Sequence, residues 1–131
     1  MVENKKLLTD LEADVMQLVW QKENVTVRDV YEAIQSTRPL AYTTVMTVLS
    51  KLAEKGIVEY SQEGRAYVYR PKISKKEAAQ RNVARLLQKF FNGSPYALVA
   101  HLIDVNAISP DELASLQRLL DIKQEDHGMK K

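Results

Sequence analysis

Small hydroxyl side chains crowd the stretch between positions 42 and 51: Tyr42, Thr43, Thr44, Thr47 and Ser50, with Met46 and Lys51 among them. At about 100° per residue on a helix, Thr43, Thr47, Ser50 and Glu54 share one face, flanked by Tyr42, Thr44, Met46 and Lys51. Hydroxyls hydrogen-bond base edges or phosphate oxygens, and threonine methyls or a methionine can touch a thymine methyl. Tyr42 and Thr43 fall where the helix begins, and free N–H groups there favour phosphate. Taken alone, these threonines fit an ordinary surface equally well. What tips the reading toward nucleic acid is the hairpin that follows within a basic stretch, with Arg65 at its tip as a phosphate or minor-groove contact. Tyr67 and Tyr69 share the Arg65 face by period two; both residue types pack more often than they bind, and Tyr67 is taken with Arg65 as a DNA contact ranked below it.

Other chemistries lack their residues. Cysteine is absent, so disulfides, thiolate metal sites and a cysteine nucleophile are excluded. His101 and His127 do not by themselves build a zinc site; His101 falls in an apolar helix and His127 in a loose tail. No Ser/His/Asp order, phosphate-binding glycine loop or metal-ligand cluster occurs, and there are only four glycines. No catalytic residue, metal or cofactor is therefore expected.

The elements that must hold the hydroxyl face are marked by their caps. Thr9 with Glu12 makes a capping box ahead of Leu11, Val15, Leu18 and Val19, which predicts a helix to about Gln21. Thr26 with Asp29 repeats the signal before Val27, Val30, Tyr31 and Ile34, and Pro39 ends that helix. A third helix is predicted over Ala41 to Lys55, with Val45, Val48, Leu49 and Leu52 inward and Gly56 as its left-handed cap. Then the period changes to two. Ile57 to Gln62 and Arg65 to Arg70 read as a hairpin turning at Glu63-Gly64, closed by Pro71. Capping signals at Ser74, Ser94 and Ser109 open three more helices.

Three helices followed by a hairpin is the order of a winged helix-turn-helix, whose third helix enters the major groove while the hairpin lies alongside as a wing. The expected fold is mainly α with a small β-hairpin: a winged helix-turn-helix domain (1–72), a C-terminal helical dimerisation domain (73–126) and a flexible tail (127–131). Charge distribution agrees. The net charge is only +2, but Arg38 to Lys72 holds six Lys/Arg against three Asp/Glu, while Met1 to Thr37 holds four against seven. A basic middle suits a phosphate-rich partner through counterion release. The same fold also serves as a protein-interaction adaptor, and composition does not separate the two.

The C-terminal helices carry Leu87, Phe90, Phe91, Leu98, Leu102, Leu113, Leu116 and Leu120 on apolar stripes. Three helices of this length form a marginal folded unit alone, so pairing of two copies is expected to bury those residues. The competing arrangement folds them back on the same chain. At 131 residues, 45% hydrophobic and 27% charged, with no apolar run of about 18 residues, the chain reads as a soluble cytoplasmic protein without a membrane span. The polar stretch from Met1 to Asp10 lacks the apolar core of a secretory leader.

Leu40 to Leu49 (LAYTTVMTVL), Leu11 to Trp20 (LEADVMQLVW) and Ala66 to Tyr69 (AYVY) resemble the penicillinase-repressor (BlaI/MecI/CopY) family over about Leu8 to Glu125. The resemblance implies a bacterial homodimeric repressor that binds a palindromic, double-stranded operator through its winged helix. In β-lactam-responsive members a sensor protease relieves repression by cutting an Asn-Phe pair in the fifth helix. Here His101-Leu102 stands at the corresponding place, and that partner's cleavage pair is unmatched. The cysteine-rich metal motif of the copper-responsive branch is missing. Thr43 and Met46 stand where the methicillin-repressor branch has basic residues, so the resemblance does not imply the same operator.

Overall fold

The computed structural model describes residues 7–129 and orders them as α1 (Asp10–Lys22), α2 (Val27–Ile34), α3 (Tyr42–Glu54), β1 (Val58–Glu63), β2 (Ala66–Pro71), α4 (Lys75–Phe90), α5 (Pro95–Asp104) and α6 (Pro110–Met129). This is a winged helix-turn-helix followed by helices. Two compact units divide inside α4, between Leu86 and Leu87.

In the first unit both predicted capping boxes form. Thr9 Oγ1 accepts from Glu12 N, and Glu12 Oε1 accepts from Thr9 N; Thr26 and Asp29 do the same for α2. Each box satisfies two N–H groups that a helix start leaves open. The stripes then converge. Val15, Met16 and Val19 of α1, Val30 and Ile34 of α2, and Val45, Val48, Leu49 and Leu52 of α3 bury one another, closed by Val25, Ile57, Val58 and Tyr69.

α3 ends in a Schellman motif. Gly56 takes φ +77°, Gly56 N donates to Ala53 O at 3.0 Å, and Ile57 N donates to Leu52 O at 3.0 Å. This turn drops Ile57 into the core beside Leu52 and launches the hairpin.

β1 and β2 pair antiparallel from Val58↔Pro71 to Glu63↔Ala66. The loop is therefore Gly64-Arg65, one residue later than the predicted Glu63-Gly64. Gly64 at φ +65° supplies the positive φ at the first central position that a type II′ turn requires. Val25 adds a one-residue third strand: its N–H donates to Tyr69 O at 2.9 Å, and its C=O accepts from Tyr69 N at 2.7 Å.

The start of α4 belongs to this unit. Ala78 is buried, Trp20 Nε1 donates to Ile73 O at 3.0 Å, and Asn82 exchanges two hydrogen bonds with the Leu8 backbone. Those ties explain why the compact unit extends past Lys72.

In the second unit, Ser94 caps α5 with Pro95 at its first position, and Ser109 forms a capping box with Glu112 on α6. The Phe91 and His101 rings lie 5.6 Å apart. α6 continues to Met129, past the point where the sequence predicts a flexible tail, because no proline or glycine interrupts it before Gly128. Positions 130 and 131 lie outside the described residues.

Candidate nucleic-acid interface

α3 separates its two faces cleanly. Val45, Val48, Leu49 and Leu52 are buried, while Tyr42, Thr43, Met46, Thr47, Ser50, Lys51 and Glu54 are exposed. Thr44 is half-buried and less available. Met46 is 46% exposed, a high value for a thioether on a compact unit. Thr47 Oγ1 donates to Thr43 O at 3.0 Å, which leaves its lone pairs and methyl group facing outward. Such a side chain accepts from an exocyclic amine or touches a thymine methyl.

Grooves run along both sides of this ridge. One, of about 380 Å³, is lined by Thr9, Leu11, Glu12, Thr43, Thr44, Thr47, Val48 and Lys51. The other, of about 520 Å³, lies between α3 and the hairpin. Arg65 is exposed at the hairpin tip, and Tyr67 is 48% exposed. The face of the hairpin toward α3 is aromatic: Tyr60 meets Tyr67 edge-on at 5.3 Å and lies tilted at 39° to Tyr69 at 5.5 Å. Tyr69 is the buried member, so period-two alternation puts it on the same side as Tyr67 while packing turns it into the core. Burial raises the Tyr69 phenol above its ordinary 10.0, the neighbouring Tyr60 and Tyr67 add to this, and a hydrogen bond with Ser50 opposes it. The hydroxyl therefore stays protonated at neutral pH.

Sequence reasoning missed Arg28. It sits in the first turn of α2, with its guanidinium 5.9 Å from the Tyr42 ring centroid, and Tyr31 meets that ring edge-on at 5.5 Å. Its carboxylate partner, Glu32, is 3.6 Å away and solvent-exposed. An exposed arginine beside the start of α3 adds a third positive charge, with Lys51 and Arg65, around the ridge. The spacing from Arg28 to Tyr42 carried no local signal; only the α2–α3 packing brings them together.

The ridge is anchored by a buried ion pair. Lys55 Nζ lies 2.6 Å from Glu12 Oε1 and also donates to Leu7 O at 3.2 Å. Burial pushes the Glu12 carboxyl up, but the Lys55 hydrogen bond, the Thr9 N–H and the Lys55 charge outweigh it and hold the group below its ordinary 4.5. Arg38 adds a link to α1 through Asp10 at 2.9 Å and Asp14 at 3.0 Å.

The apolar residues predicted for dimerisation are only partly covered within one chain. Leu87, Phe91, Leu98 and Leu102 are half-buried, whereas Phe90 (75%), Leu113, Leu116 and Leu120 are exposed. Among the described residues no group of His, Cys, Asp and Glu is placed to hold a metal, and no helix is long and apolar enough to cross a membrane.

Comparison with known proteins fits this geometry. A family model described as penicillinase repressor matches residues 8–122. The transcriptional regulator BlaI of Mycobacterium tuberculosis (strain H37Rv) is 40% identical over 123 residues, covering 92% of this chain and 88% of that protein. The penicillinase repressor of Bacillus licheniformis is 26% identical over 114 residues, covering 87% and 89%. Among solved structures, the solution structure of the DNA binding domain of the repressor BlaI superposes with a TM-score of 0.52 at 27% identity, covering 59% of this chain and 93% of that domain. These relatives are regulators of transcription, not enzymes. With the model match spanning nearly all of a winged-helix chain, this protein belongs to the penicillinase repressor family.

Proposed function

We propose that this protein is a homodimeric transcriptional repressor that binds a palindromic operator and blocks transcription sterically. Residues 1–72 form the DNA-binding domain. Thr43, Met46, Thr47 and Ser50 read the major groove, with Thr44 at its margin. Tyr42, Lys51, Arg65 and Tyr67 hold the backbone, and Arg28 joins them. The observation that carries the reading is the exposed, weakly charged ridge of α3 set between a wing tipped by Arg65 and the start of α2, with the opposite stripe wholly buried. A face so exposed and so poor in Glu/Lys pairs is unusual for a solvent surface and suited to a groove.

Residues 73–126 pair two copies. Support comes from Phe90, Leu113, Leu116 and Leu120, which are exposed within one chain. Large apolar side chains left in water are costly, and self-association relieves that cost. A two-fold dimer sets two half-sites about 34–36 Å apart or at a multiple of that spacing. Proteolytic relief at an Asn-Phe pair forms no part of the proposal, because His101-Leu102 stands at the corresponding place.

The test is gel retardation of DNA from upstream of the protein's own gene at two salt concentrations. Specific retardation that falls steeply with salt is the expected result. No specific retardation, together with a salt-insensitive protein partner, overturns the DNA reading in favour of an adaptor.

A further inference from the structure

The groove between α3 and the hairpin has a composition that DNA binding does not require. It is lined by Ser50, Ala53, Glu54, Tyr60, Tyr67 and Tyr69, and encloses about 520 Å³. That volume falls in the range of about 300–1,000 Å³ usual for small-molecule sites. Three tyrosine rings and one carboxylate meet there, and Glu54 bears the only charge among the lining residues.

Glu54 is poorly placed for a merely structural role. It is the last residue of α3, where the negative end of the helix dipole disfavours an acid. None of the ion pairs among the described residues involves Glu54, and the nearby cations are directed elsewhere. Lys55 is committed to Glu12 and Leu7 O. Arg70 donates to Ser61 on the opposite face of the hairpin. Lys51 lines the groove on the other side of α3. The aromatic walls add to the same imbalance. Tyr60 and Tyr67 are about half exposed and stand at 89° to each other, which makes an open corner. Tyrosine faces are electron-rich and attract cations.

We propose that this groove is a binding site for a small organic ammonium ion, held by the faces of Tyr60 and Tyr67 and neutralised by Glu54. Carboxylate, helix terminus and ring faces, all lining one groove, each favour positive charge. A phosphate seated in the groove is repelled by Glu54, and a neutral apolar ligand leaves Glu54 uncompensated. The groove shares Ser50 and Tyr67 with the proposed DNA face, but the test below is run without DNA, so its failure leaves the DNA reading standing.

The test uses the full chain and choline as probe, titrated at constant ionic strength and followed by NMR. The expected result is saturable shifts confined to the Tyr60 and Tyr67 rings and the backbone amides of Ser50 and Glu54. The neutral isostere 3,3-dimethylbutan-1-ol is expected to bind more weakly. Tyr60→Leu and Tyr67→Leu each weaken choline binding about 2- to 30-fold, the range of cation–π contributions. Glu54→Gln, a conservative change at an exposed position, weakens it without altering the spectrum of the core, and Glu54→Lys abolishes it. Shifts that never saturate, an isostere that binds as well as choline, or choline binding unchanged in Glu54→Gln overturns the proposal.

Discussion

The Glu12–Lys55 pair gives a sharp test of how the α3 ridge is held. Consider Lys55→Met. The stem still packs, but Glu12, whose side chain is 7% exposed, loses its cation. Breaking a fully buried pair from one side costs about 3–5 kcal/mol. Here Lys55 is itself 21% exposed and Glu12 keeps the Thr9 N–H at 3.0 Å, which scales the cost to about 2–3 kcal/mol. Glu12→Gln behaves differently. Glutamine preserves the capping box, and the freed ammonium reaches water, so the cost is about 1 kcal/mol.

Trp20, the only tryptophan, reports on this unit through its bond to Ile73 O. With a urea m-value of about 2 kcal/mol/M, the fluorescence midpoint of Lys55→Met falls by about 1–1.5 M, and that of Glu12→Gln by about 0.5 M. pH supplies the second arm. Because the folded carboxyl titrates below 4.5, its stabilisation is present above that value and disappears as pH falls through the folded value. In Lys55→Met burial acts without the cation, the folded value rises, and the deficit shrinks as pH drops below 4.5. Equal midpoints for the two variants, or a Lys55→Met deficit unchanged between neutral and acidic pH, would refute the assignment of this pair as the anchor.

The proposed DNA face yields two further expectations. Thr47→Ala weakens operator binding about 5-fold, the loss of one hydroxyl contact, while leaving non-specific DNA nearly unaffected in a competition anisotropy assay. Arg65→Ala weakens all sequences alike and lowers the slope of log K against log salt by about 0.9, which a salt titration measures. In the second unit, Leu116→Asp combined with Leu120→Asp places charge on an exposed apolar stripe of α6 and is expected to give a monomer by sedimentation velocity. Persistence of the dimer in that variant removes α6 from the interface.

Much of the fold was legible because its signals are local. Thr9 and Glu12, or Thr26 and Asp29, stand three residues apart, and the stripe Val45, Val48, Leu49 and Leu52 follows from the helical period alone. The same period gave the outward ridge of α3, since choosing the buried face of a helix also chooses the exposed one. The hairpin was legible in kind but not in register. A glycine marks a turn, yet whether it takes the first or second central position depends on how the paired strands twist. Tyr69 shows the limit of alternation: it shares a face with Tyr67, but only the Val25 bridge and the underlying core decide that one ring is buried and the other open.

By itself the sequence determined the order of elements, the helix limits to within a few residues, and the surface that α3 turns outward. The tertiary structure alone decided which distant groups meet: Lys55 with Glu12, Arg28 with Tyr42, Asn82 with Leu8, and the three tyrosines with Glu54. The physical reason is range. Caps and periodicity act within one or two turns of backbone, whereas ion pairs and ring contacts depend on the angles at which helices cross, and those are set by the packing of all the side chains together.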